Sequence, residues 1–341
     1  MGTGDGVGTQ LSAEDWPAQP GRRPSGDLTL LEEEMVAAAA AGELVDRGEG
    51  LFSLAEMRMW GEERTIRAAV LRHLLVAGQW PVHPKGVRLR GVRISGHLDL
   101  EAAALRCPLS LNCCYLDANI PACLDHAKAL RVTLTGCQLP GVTGEMLTAS
   151  ELDLSGSTVI YPLRLTGAEI IGQLICRGTQ LTGADSNGDS LVSEGIKAGS
   201  VLLTSGFTAA GAIRLTGAEI TSQLNCSGAQ LTGTDSDGNT LVADGMKAGG
   251  DVFLTGRFTA AGVVRLRGAD ITGQFGCRGA QLTGTDSDGN TLVADGMKVG
   301  EDVFLDGGFT AAGTVSLNST HVPAFRRCEP GIVPVSVLWP A

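Results

Sequence analysis

Three groups of side chains in this 341-residue chain have types and spacings that chemistry can use. Cys113 and Cys114 are adjacent, and the acid–imidazole pair Asp125-His126 follows shortly after. A thiol beside an imidazole can serve as a nucleophile or a redox centre. Cys113, Cys114 and His126 are therefore the catalytic candidates if the chain is a redox or cyclising enzyme with a pocket in the irregular stretch 100–140. On a strand, adjacent thiols would point to opposite faces, leaving one inside and one reactive. His97 and Asp99, two residues apart, form a second acid–imidazole pair on one strand face. The simpler reading for all of them is a turn or surface role, because the chain has five histidines and no nucleophile in a recognisable elbow.

The second group is acidic. Asp235-Ser236-Asp237-Gly238-Asn239 recurs as Asp286-Ser287-Asp288-Gly289-Asn290, with Asp185-Ser186-Asn187-Gly188-Asp189 as a diverged equivalent. Calcium needs six to eight oxygens, and the glycine and closing glutamate of an EF-hand loop are missing here. Asx turns account for the pattern without a metal. Cys176, Cys226 and Cys277 also recur, but a repeat-to-repeat separation near ~10 Å is too long for a shared zinc. Neither a metal site nor a cofactor is expected. Asp235, Asp237, Asp286 and Asp288 are instead candidates for contact with a partner.

The third group is basic. Arg64, Arg67, Arg72, Lys85, Arg88, Arg90 and Arg93 cluster in a chain whose formal net charge is −11. A solvated helix face with an outward ladder explains them, and docking of an acidic partner through Arg64, Arg67, Arg88 and Arg90 is the functional alternative.

These residues depend on the elements that carry them. Residues 1–26 show no helical or strand period and read as a disordered leader. A helical cap follows over 27–85. Thr29 with Glu32 and Ser53 with Glu56 have capping-box spacing, Gly42 stands where a helix should end, and a third helix is predicted from near Gly61 to Gly78. After Pro84 the period changes to short alternating strands, and a β-solenoid is predicted over 86–320. The tail 321–341 carries Pro323, Pro330, Pro334 and Pro340 and cannot continue regular rungs.

The repeats decide the fold class. Leu-Thr-Gly-Ala-Glu-Ile stands at 165–170 and 215–220, and 229–247 is identical to 280–298 over 19 residues, giving a period of 50 to 51. Propeller blades need longer strands than these short apolar pulses supply. A parallel β-helix satisfies the pattern, with glycines at the corners and backbone bonds between coils. Each unit reads as two coils of about 20 residues plus a projecting loop such as 232–240, giving about ten coils in all.

Ala-Glu-Ile-Ile-Gly (168–172), Thr-Gln-Leu-Thr-Gly (179–183) and Ala-Gln-Leu-Thr-Gly (229–233) resemble the pulse of pentapeptide-repeat proteins. That resemblance implies a right-handed quadrilateral β-helix and, from some members, DNA mimicry toward a topoisomerase. Residues 28–318 also resemble bacterial proteins that join a helical Trp-Gly-x-Glu-Arg-Thr-Ile-Arg-Ala-x-Val-Leu-Arg module, here Trp60–Arg72, to rungs like 86–91 and 96–100. Such chains often carry the label membrane-associated oxidoreductase, although the module contains no redox motif.

Composition narrows the functions. No apolar run is long enough to span a membrane, Met1–Gly8 lacks the signature of a signal peptide, and nine cysteines are an odd number, so a cytosolic protein with free thiols is expected. The acidic balance disfavours direct nucleic-acid binding. With regular repeats and no convergent catalytic set, the leading expectation is a non-enzymatic scaffold for a protein partner, and its exposed solenoid end could also pair two copies.

Overall fold

The computed structural model describes residues 26–48, 52–327 and 337–338. The leader thus lies outside the described residues except for Gly26, as does much of the tail, including Cys328. The tail does continue the rungs, contrary to expectation: Ala324–Arg327 pairs in parallel with Asp302–Leu305, and Val337–Leu338 with Val315–Ser316, so its prolines fall outside these strands instead of ending the rungs. The chain forms a right-handed parallel β-helix behind an N-terminal helical cap. Helix α1 (Leu30–Ala41) starts on the Thr29/Glu32 capping box and stops at Gly42, whose φ is 72°. Helix α2 (Leu54–Arg58) starts on the Ser53/Glu56 box. Helix α3 spans Ala68–Val76. It begins later than its spacing predicts because Thr65–Arg67 is a strand, paired with Arg93–Ser95. The β-branched Thr65 and Ile66 favour that conformation. Val45–Asp46 likewise pairs with Leu89–Arg90, so two strands from the cap are already rungs of the solenoid.

All strand pairs are parallel, in sheets of 16, 10 and 11 strands. The rungs alternate in length. From Val201 to Leu224 is 23 residues and from Leu224 to Val252 is 28, together 51. The longer coil holds the projecting loop. In the later coils one turn uses four short strands, Glu219–Ile220, Leu224–Asn225, Gln230–Leu231 and Asn239–Val242. In earlier coils the first two sides merge into single long strands such as Lys128–Thr135, which makes them one sheet.

Core packing explains why the sequence repeats every second coil. One interior column runs Cys176, Leu203, Cys226, Leu254, Cys277, Leu305, and the corner position runs Thr179, Phe207, Ala229, Phe258, Ala280, Phe309. The next side runs Leu181, Ala209, Leu231, Ala260, Leu282, Ala311. A coil with Cys, Ala and Leu therefore stacks on one with Leu, Phe and Ala. Each phenylalanine fills the volume that its coil's alanine leaves, and close packing is conserved at constant coil width. The narrow interior does hold rings, Phe207, Phe258 and Phe309 in alternate coils and Phe275 in a coil between them, and the cysteines do not form a continuous thiol column because leucines separate them.

Two corners require a left-handed backbone. At one, Gly167, Gly195, Gly217, Gly245, Gly268 and Gly296 all have φ between 62° and 70°, and Ala102, His126 and Met146 take the same conformation at 51°, 56° and 55°. Glycine is the residue that adopts it without a steric penalty.

Candidate functional site

The thiol and imidazole candidates do not converge. Cys113 occupies the second left-handed corner, at φ 49°, between strands Leu109–Asn112 and Tyr115–Asp117. It has left the strand, so the opposite-face expectation fails and Cys113 and Cys114 are both buried. The Cys113 sulfur lies 3.2 Å from where a Cβ on Gly136 would stand, filling the space over that glycine. Cys114 is packed against the next coil, where Cys137 Sγ accepts from its backbone N–H at 3.4 Å. Burial pushes the Cys113 thiol up, away from the reactive thiolate, whereas at Cys114 burial is outweighed by hydrogen bonds from Cys137 and from the backbone, which lower its thiol pKa. His126 is exposed at the other left-handed corner, after Ala122–Cys123. His97 is exposed too and hydrogen-bonds the Pro121 carbonyl at 2.9 Å instead of Asp99.

The arginines hold the cap to the solenoid. Arg67 donates to both oxygens of Glu32, from Nε at 2.8 Å and Nη2 at 2.6 Å, and the Glu32 side chain is fully buried. Burial alone would raise the Glu32 carboxyl; bonds from Arg67 and from the Thr29 and Arg67 backbone N–H groups outweigh it and hold the pKa below the ordinary value. Arg64 lies 5.6 and 5.3 Å from the Phe52 and Trp60 ring centres and donates to the Gly91 carbonyl at 3.2 Å. Arg90 pairs with Asp46 at 3.6 Å, and Arg93 with Asp117. Arg88 is half-buried on its strand. Most of the presumed docking charge is therefore committed within the molecule. Beside it lies a cavity of about 610 Å³ lined by Leu30, Glu34, Arg47, Glu62 and Glu63 among others.

The acidic loops split by position. Asp235 is buried: its carboxylate accepts from the N–H groups of Asp237 and Asn239 at 2.9 and 2.8 Å, from the Asn239 amide, and from Arg214 at 2.8 Å. Asp286 repeats the turn, accepting from Asp288 and Asn290 N–H groups, and is half-buried. Both carboxylates close their own loops, Asp235 from a buried position and Asp286 from a half-buried one. Asp237 and Asp288 are exposed. Arg214 clamps two repeats, reaching Asp189 with Nε at 2.7 Å as well as Asp235. The position of Asp189 is Asn239 in the next repeat. There the Nε of Arg265 has no hydrogen-bond partner, and its Nη2 turns to Asp244 instead.

A larger feature appears only when the coils are stacked. On the 11-stranded sheet the outward residues of successive rungs are Thr158, Gln180, Thr208, Gln230, Thr259, Gln281 and Thr310, all exposed or half-buried. Two residues further along each strand stand Ile160, Thr182, Ala210, Thr232, Ala261, Thr283 and Ala312, all exposed. Seven successive coils thus carry no charge in these two columns. At about 4.8 Å per coil the face is on the order of 29 Å long. The hydroxyls of Thr182, Thr232 and Thr283 donate to the carbonyls of Val159, Ala209 and Ala260, each at 3.0 Å, which fixes their oxygens as outward acceptors. The glutamines between them supply amide donors. The signal was in the sequence, as the residues that flank x in the recurring Gln-x-Thr and Thr-x-Ala, but only the register reveals that these positions share a face.

Among the described residues one set of metal-binding side chains converges, Asp99, Glu101 and Cys123, and no helix is long and apolar enough to cross a membrane. Comparison of the chain with family models, with curated proteins and with solved structures finds no match.

Proposed function

We propose that the chain is a non-enzymatic scaffold that docks a protein partner on its uncharged Gln/Thr face, in the bacterial cytosol. The observation that carries this reading is the face itself. A quarter or so of ordinary residues are charged, yet these fourteen outward positions over seven coils carry no charge, and their polar groups are held at fixed spacing by the backbone ladder. A preordered surface loses little conformational freedom on binding. The projecting loops emerge directly after Thr182, Thr232 and Thr283, so Asp237 and Asp288 stand at the rim, where polar groups set register and specificity.

The pentapeptide resemblance supports the same reading, because a regular solenoid offers extended flat surfaces. Against the catalytic alternative, Cys113 and Cys114 are both buried, whereas His126 is exposed at a different corner. Capture from the native host tests the proposal: the partner retained by the unaltered chain should be lost from the double variant Ala210→Arg/Ala261→Arg, which charges the face at two exposed alanines. Equal retention of that partner would sink the proposal.

A further inference from the structure

The coils nearest the cap carry a cluster that the Gln/Thr face does not involve. Asp99 and Cys123 face each other across a parallel bridge between adjacent coils, and Glu101 follows Asp99 by two residues. One ligand atom from each, two carboxylate oxygens and Cys123 Sγ, lie within 4.8 Å of one another. Asp125 also contacts the Cys123 thiol, and its Oδ1 accepts from the Glu145 N–H at 2.8 Å.

Acids accumulate around this cluster on successive coils. Several outward acids elsewhere pair with cations along the stack, as in Glu169–Lys197 and Glu219–Lys247, both at 3.5 Å, or Arg214 between Asp189 and Asp235. Here Glu101, Asp125 and Glu145 follow one another on consecutive coils. Among the described residues none of these three, nor Asp99, makes an ion pair. The nearest arginine contact, Arg72 Nε at 2.7 Å, goes to the Asp99 carbonyl and not to its carboxylate.

We propose that Asp99, Glu101 and Cys123 bind a thiophilic divalent cation of the zinc class. Zinc takes sulfur at about 2.3 Å and carboxylate oxygen near 2.1 Å, which in a tetrahedron sets ligand separations of roughly 3.6 Å. Side-chain rotation of the exposed Glu101 closes the remaining distance, and Asp125 or water completes the shell. Calcium is a poorer occupant, since it wants six to eight oxygens and gains nothing from a thiol. On binding, the S–H bond breaks, the metal–sulfur bond forms, and one proton passes to solvent per cation.

Cys123 is the one described cysteine that is not buried, which makes a sulfur-based readout specific once Cys328 is changed to serine in every protein tested. Full-length protein is titrated with Cd²⁺ and the sulfur-to-cadmium charge-transfer absorption is followed, with Zn²⁺ as competitor. The expected result is saturation at one equivalent, displacement by Zn²⁺, and an affinity that rises about tenfold per pH unit below the thiol pKa, as release of one proton requires. Cys123→Ser should abolish the band while keeping the far-ultraviolet spectrum of the parent. Asp99→Asn and Glu101→Gln should each weaken binding at least about tenfold, by analogy with the loss of groups around metal sites. Absence of the band would show that no such site exists, and a band equally strong in both carboxylate variants would show that the thiol acts alone; either result overturns the proposal.

Discussion

Asp235 and Asp237 are the same residue type two positions apart in one loop, yet replacing each by alanine should have very different costs. Removing the Asp235 carboxylate deletes two backbone N–H bonds at 2.9 and 2.8 Å, the Asn239 amide contacts and the Arg214 bond at 2.8 Å. Breaking one partner out of a buried ion pair costs about 3–5 kcal/mol. Arg214 is 23% exposed and keeps Asp189, which recovers part of that loss. The expected cost of Asp235→Ala is therefore at the low end, about 3 kcal/mol. Asp235→Asn retains acceptors for the N–H groups and should cost about half as much, the share of one charge-assisted bond. Asp237 is exposed, and Asp237→Ala should cost less than about 0.5 kcal/mol. Because long repeat arrays unfold with reduced cooperativity, the assay combines chemical denaturation with native-state hydrogen exchange of the amides at 237–243. Asp235→Ala should speed exchange there and leave coils beyond residue 290 less affected. A loss for Asp237→Ala as large as that for Asp235→Ala, or no loss for either, would refute the assignment of inside and outside in this loop.

The interior gives a larger effect. Leu231 is 1% exposed and stacked between Ala209 and Ala260, so Leu231→Ala should cost about 2–5 kcal/mol in denaturation and Leu231→Asp should cost more, through an unpaired buried charge. His126→Gly should stabilise the chain by about 0.5–1 kcal/mol, because it relieves a left-handed residue at the expense of glycine's extra unfolded-state freedom; a lower melting temperature would contradict this. The cap should be acid-labile: since the folded Glu32 pKa lies below its ordinary value, the Arg67 pair contributes in full above the ordinary carboxylate range and is lost as pH falls through the folded value. Circular dichroism against pH should show the helices of the parent loosening in that window, and Glu32→Gln should lose this dependence. Millimolar calcium should leave thermal stability unchanged, because the carboxylates of Asp235 and Asp286 are already engaged by their own loops; a rise of several degrees would show specific binding. Alkylation of native protein at neutral pH should spare Cys176, Cys226 and Cys277, all fully buried, with burial pushing the Cys226 thiol up to about 12.

Periodicity is a property of the chain and survives in the sequence, which is why the coils, both capping boxes and the inward Leu231 were legible without coordinates. Contacts between coils are not. Asp235 and Asp237 look alike as letters, and only the turn geometry turns one carboxylate inward. Arg67 reads as surface charge until Glu32, 35 residues earlier, is seen buried beneath it. The adjacent thiols misled because alternation of faces holds inside a strand, whereas Cys113 sits at a corner with positive φ. Asp99 and Cys123 are 24 residues apart, about one coil, and no local motif announces their bridge. The uncharged face was hidden for the same reason: its members are never neighbours in sequence.

The most direct measurement is site-specific photo-crosslinking in the native host, with a photoreactive residue placed at Ala210 or Ala261 on the Gln/Thr face and at Thr221 or Thr272, exposed on another side, as controls. Docking through the face predicts one discrete protein adduct from positions 210 and 261 and none from 221 and 272. No adduct from the face, or the same adduct from all four positions, would contradict it.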